Sequence, residues 1–220
     1  MSTEDRPHRV GLVLAGGGAR GAYEMGVLSV LLPFLESRGE RPSIFVGTSV
    51  GAINAAAMAS TAHLPAEEAV EVGMARWREV EPRSVLRSLV GSQVALVALR
   101  YAGEIARVPG VRLQSLLDPA PLHDNLERWV DWAAMRANLD GDQLCLGVVT
   151  TAARSGRSVV FVDGCLHEER HRSHLMDYVP AEIGPLHIQA SAAIPLLFPS
   201  VRIEEPESAR GWYVDGGTRL

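Results

Sequence analysis

The chain has 220 residues, 47% apolar and 21% charged, which fits one α/β domain able to bury a sizeable core. A formal charge of −5 argues against nucleic acid as a partner. All 21 basic residues are arginine, and the missing lysine excludes a Schiff-base lysine, a Walker-type phosphate loop and a serine–lysine dyad.

Residues 1–8 are polar and charged, show no apolar segment of a signal peptide, and read as a disordered tail. Residues 9–15 (RVGLVLA) predict a short buried strand. Gly16-Gly17-Gly18-Ala19-Arg20-Gly21 follows, ahead of an apolar-periodic helix over about 22–35 with Val27, Leu28, Leu31 and Leu32 on one side and a stop at Gly39. The loop fits Gly-x-Gly-x-x-Gly, the dinucleotide fingerprint, which also wants an acidic residue at the end of the second strand. Gly47-Thr48-Ser49 stands there instead, and Glu36 and Glu40 precede the strand, so the pattern argues against a nicotinamide or flavin cofactor. The other use of such a loop is an oxyanion hole, in which amides of Gly17, Gly18 and Ala19 point from a helix N-terminus, with Arg20 adding positive charge.

Ile44-Phe45-Val46 predicts the second strand, and Gly47-Thr48-Ser49-Val50-Gly51 follows it before a small-residue helix over 50–60. Strand, sharp turn and helix around Gly-x-Ser-x-Gly is the context of a nucleophilic serine with an exposed hydroxyl. Glycines at 47 and 51 suit a turn where side chains would clash.

Helices are expected at 66–79, over the apolar stretch 84–107 as core or cap, and at 122–138 along Leu126, Trp129, Val130 and Ala133. The charge-free run Ser88–Leu99 is too short to span a bilayer. Strands follow at 144–150 and 158–162, then a polar loop over 163–178. That loop contains His167-Glu168-Glu169-Arg170-His171, the spacing of a helical zinc site, but HEERHRSH has no apolar face to anchor a helix, so no metal is expected. Cys145 and Cys165, far apart and outside any Cys-x-x-Cys pair, read as free thiols of a reducing, cytoplasmic protein. A short helix over 185–194 and a strand over 212–214 complete the chain. Strands alternating with helices imply a three-layer α/β/α domain around a mainly parallel sheet.

A serine nucleophile needs a base, and no histidine follows Asp215. Asp215-Gly216-Gly217 ends a strand, as Ser49 does. A carboxylate beside a serine in a desolvated cleft can take the proton itself, although Asp-Gly is also an ordinary turn.

Taken together, GGGARG at 16–21, GTSVG at 47–51, ASAAIPLLFP at 190–199 and Asp215-Gly216-Gly217 resemble the patatin-like phospholipase family over residues 9–217. The resemblance implies a Ser49–Asp215 dyad without histidine, metal or cofactor, an oxyanion hole at Gly16–Gly21, and cleavage of phospholipid, lysophospholipid or other acyl-ester lipids. Residues 62–140 would shape the acyl pocket. A cytoplasmic protein, in peripheral contact with the membrane at most, is expected from the missing signal peptide and the free thiols, with one acyl hydrolase domain over 9–220. Family members continue past the Asp-Gly-Gly motif, so a domain truncated at its C-terminus is expected. A non-catalytic lipid- or partner-binding module on the same fold is the alternative. The sequence does not set the oligomeric state.

Overall fold

The computed structural model describes residues 9–79, 120–141, 143–164, 171–172 and 176–218. The tail 1–8 and the apolar stretch 84–107 lie outside them.

β1 (Val10–Leu14) leads into α1 (Arg20–Ser37), and β2 (Pro42–Thr48) into α2 (Val50–Ser60) and α3 (Ala66–Glu79). Two further helices, α4 (Ala120–Trp129) and α5 (Trp132–Asp140), precede β3 (Cys145–Ala152) and β4 (Ser158–Asp163). Then come β5 (His171–Arg172), β6 (Met176–Pro180), α6 (Pro185–Ser191), β7 (Val201–Ile203) and β8 (Gly211–Asp215). The eight described strands form one mixed sheet flanked by helices, in the order β1-β2-β3-β4-β6-β5, with β8 paired to β3 and β7 to β8. Pairs β1–β2, β2–β3 and β4–β6 are parallel, and the others antiparallel. β3 and β4 are the centre: CLGVVT and SVVFVD are buried throughout, as strands covered on both faces are.

The main core joins Leu14, Phe45, Leu146, Val148 and Phe161 of the sheet to Met25, Ala56, Met58, Leu126 and Ile188 of the helices. A smaller cluster, Cys145, Val149, Val160 and Val162, forms separately. α2 lies close to the strands because Ala52, Ala55, Ala56 and Ala59 present only methyl groups to them, each 0% exposed.

Several expectations need correction. α1 buries Gly21, Met25, Leu28 and Leu32, a 4-3-4 spacing that meets α3 at Gly73, and so turns Val27 outward with Tyr23, Val30 and Phe34. The helix expected over 122–138 is two, broken at Val130–Asp131, where the Asp131 carboxylate accepts the Ala134 N–H (2.9 Å) as an N-cap. The loop expected over 163–178 holds β5 and the start of β6; His171 pairs with Tyr178 in a ladder, not on a zinc-binding helix. Positions 167–170 lie outside the described residues. Cys145 is disulfide-bonded and not a free thiol, and Cys165 lies outside the described residues. Among the described residues no helix is long and apolar enough to cross a membrane.

Candidate active site

The register of β3 brings the ends of two strands together. β2 runs parallel to β3, and its last residue, Thr48, lies opposite Val149. β8 runs antiparallel, and its last residue, Asp215, lies opposite Thr150. At Thr150 and Thr151 the other edge of β3 is occupied by Val159 and Ser158 of β4. β8 therefore continues the edge that β2 leaves, and the two strands meet end to end, with Ser49 following one and Asp215 closing the other.

Ser49 links β2 to α2 with φ 55° and ψ −124°. A non-glycine residue in this region carries about 1–3 kcal/mol of strain and persists only where its surroundings hold it. Gly47 lets the turn close, since a Cβ there would collide with the Gly51 carbonyl, and Gly51 lets α2 approach β1, where a Cβ would collide with the Leu14 carbonyl. Ser49 as a whole residue is only 7% exposed. Its N–H donates to Ser191 Oγ (2.9 Å).

Asp215 is 5% exposed. Burial raises its proton affinity above the ordinary aspartate value; the nearby Ser49 hydroxyl and the Gly217 N–H, which donates to Oδ1 (2.7 Å), act the other way. The buried Oδ2 has no hydrogen-bond partner of ordinary geometry among the described residues. One carboxylate oxygen is thus anchored while the other is left for the serine side. A carboxylate with raised proton affinity is a stronger base.

The glycine loop lies against Ser49: a Cβ on Gly16 would sit 3.3 Å from Ser49 Cβ. Gly18 adopts φ +56°, which favours glycine. The amides of Gly16, Gly17, Gly18 and Ala19 find no acceptor among the described residues, and all four residues are exposed at the head of the 18-residue α1. Arg20 begins that helix, with its aliphatic stem 3.2 Å from where a Cβ on Gly17 would lie. Gly21 is buried under Val50 and Trp77.

The sequence reading missed what anchors this loop. Glu24 accepts the Ala15 N–H (2.8 Å) and an N–H from Asn54 Nδ2 (2.8 Å). Asn54 also donates to the Gly21 carbonyl (3.0 Å) and accepts from Trp77 Nε1 (2.9 Å). Both ends of the loop are so tied to α2, the helix that Ser49 begins. Asn54 is a polar side chain, 1% exposed, in an otherwise small and apolar helix; that contrast was the available signal.

His187 takes no part in this cluster. It is 8% exposed, packs edge-on against Phe161 (centroids 4.7 Å apart), and its Nδ1 accepts the Gly184 N–H (3.2 Å). Burial pushes its pKa down to about 4, so the ring is neutral. For an ester hydrolysed at Ser49 with Asp215 as the base, His187→Gln is expected to leave turnover within about threefold of wild type. A kinetic assay that shows instead the ~10²–10⁴-fold loss of a missing general base would return the histidine to the mechanism. Among the described residues no three His, Cys, Asp or Glu side chains converge as a metal site.

The sequence model of the patatin-like phospholipase family matches residues 12–220 of this chain. Among solved structures, the chain is similar to the crystal structure of VipD from Legionella pneumophila, at 15% identity and a TM-score of 0.46. The similarity covers 97% of this chain and 47% of that one, so the chain spans about half the length of that protein. No curated protein matches.

Proposed function

This chain belongs to the patatin-like phospholipase family of lipid acyl hydrolases, and we propose that it cleaves fatty-acyl esters of phospholipids or lysophospholipids through a Ser49–Asp215 dyad. The observation that carries this reading is the β3 register, which sets Thr48 and Asp215 against successive residues, Val149 and Thr150.

In the proposed reaction the Asp215 carboxylate takes the proton of Ser49 Oγ as that oxygen bonds to the ester carbonyl carbon. Negative charge develops on the carbonyl oxygen, and the free amides of Gly17 and Gly18, with the α1 dipole behind them, receive it. Collapse of the tetrahedral intermediate breaks the ester C–O bond, and the leaving alcohol takes the proton from Asp215. Water then attacks the acyl-enzyme, giving its proton to Asp215 as it adds. Ser49 Oγ leaves, recovers the proton, and the fatty acid departs. No metal or cofactor enters these steps. Residues 9–220 act as one acyl hydrolase domain in this reading, meeting its substrate at a membrane surface. The disulfide at Cys145 removes the free-thiol argument for a cytoplasmic location and leaves the one from residues 1–8.

A fluorophosphonate probe tests the reading directly. The intact protein should hydrolyse a short-chain ester, and peptide mapping should place the label on Ser49. Lipid binding with neither labelling nor turnover would make the chain a non-catalytic binding module instead.

A further inference from the structure

The ends of β2 and β8 share one more support. Ser191, the last residue of α6, is 0% exposed. Its hydroxyl donates to the Val149 carbonyl (2.6 Å) and accepts the Ser49 N–H (2.9 Å), so both its hydrogen and a lone pair are committed. Two residues on, the Ala193 carbonyl accepts the Asp215 N–H (2.9 Å). One three-residue segment therefore holds the backbone amides of both Ser49 and Asp215, and Ser191 fastens the serine to β3, the strand that sets both positions.

We propose that Ser191 is a positioning residue for the reaction: its hydroxyl clamps the strained Ser49 amide to β3 and so fixes the Ser49 hydroxyl relative to Asp215 and the glycine loop. This rests on the hydrolase reading above. The physical case is the backbone at Ser49. A residue at φ 55° relaxes unless its amide and carbonyl are held. The Ser49 carbonyl is held by Ala52 and Ile53 of its own helix (2.9 and 3.4 Å), whereas the amide is held by Ser191 Oγ. Removing that hydroxyl strands a buried N–H and the Val149 carbonyl and frees the amide to turn. Displacing a nucleophile by about 1 Å can cost on the order of 10²-fold in rate.

The test compares wild type, Ser191→Ala and Ser191→Cys in ester hydrolysis, fluorophosphonate labelling rate and thermal melting, assayed well below the melting temperature. Ser191→Ala should lower kcat and the labelling rate by about 10- to 100-fold with KM changed less than about threefold. Ser191→Cys, near in size and a weaker hydrogen-bonding group, should fall between alanine and wild type. The acid limb of the pH–rate profile should also move to higher pH in Ser191→Ala, because the Ser49 hydroxyl no longer lowers the proton affinity of Asp215. A lower melting temperature with kcat, labelling and pH profile unchanged would reduce Ser191 to a packing role and overturn the proposal. Failure of both variants to fold would overturn it too, by placing the hydroxyl in the fold and not in the site. If wild type neither cleaves an ester nor labels at Ser49, the hydrolase reading falls and takes this proposal with it. An active wild type beside an unaffected Ser191→Ala sinks the proposal alone.

Discussion

Asp215→Asn is expected to lower ester turnover by about 10⁴-fold, the upper range for loss of a general base, while leaving the protein at least as stable at neutral pH. The two effects run in opposite directions for one reason. Asp215 is buried, and burial disfavours its charged form, so its proton affinity is raised in the folded state. A group with a raised folded pKa binds protons more tightly folded than unfolded. Its contribution to stability is fully present below the unfolded aspartate pKa and is lost as pH rises through the folded one. At neutral pH the ionised carboxylate is therefore a cost to the fold, and the amide, uncharged and of similar shape, removes it. The catalytic sign is the reverse: the base must be ionised, so kcat/KM should rise with pH along an acid limb displaced above the ordinary aspartate value. Thermal melts of wild type and Asp215→Asn from acid to neutral pH, beside the pH–rate profile, check both signs. An asparagine variant that keeps its turnover would remove Asp215 from the chemistry.

Ser49→Gly is expected to abolish turnover, on the order of 10⁶-fold as when a serine nucleophile is removed, and yet to stabilise the chain by about 1 kcal/mol. The residue sits at φ 55°, ψ −124°, a conformation glycine reaches without the Cβ clash. Ser49→Ala loses the same oxygen but keeps the Cβ and the strain. The pair of variants thus separates chemistry from conformation. Both should be inert to fluorophosphonate, and only the glycine variant should melt higher than wild type. Equal melting temperatures for the two variants would mean that the surrounding hydrogen bonds, and not the Cβ, set the local cost. Surviving probe labelling in either one would place the nucleophile elsewhere.

The strand-to-helix turns were legible because their chemistry is local. Two tight turns rich in glycine announce themselves in sequence, and Asp215 stood out once no histidine followed it. What the reading missed depends on partners distant in the chain. β6 hid inside a polar stretch because Asp177, one of its buried residues, is paired with Arg157 of the neighbouring region (2.6 Å), so its burial leaves no apolar trace. The break between α4 and α5 hid because the apolar period runs on across Val130 and Asp131, and only the N-cap marks it. β7 has three residues, too few for a period of two to show. The outward turn of Val27 follows from where α3 docks, which α1 alone does not encode. The roles of Asn54 and Ser191 appear only when Gly21 and Ser49 are beside them.

The end-to-end meeting of β2 and β8 also sets when a folding chain first becomes competent. β1, α1, β2 and α2 are neighbours in sequence, and their contacts close early because the loops between them are short. That early unit already contains Ser49 and the glycine loop, but neither Asp215 nor Ser191. Asp215 reaches Ser49 only after β3 has added to β2 and the antiparallel β7–β8 pair has docked on what remains of the same edge. Secondary structure in a refolding experiment should therefore recover ahead of ester hydrolysis. The last event to gain is one strand end arriving opposite Thr150, and a half-folded molecule carries the serine with neither Asp215 nor the Ser191 clamp in place.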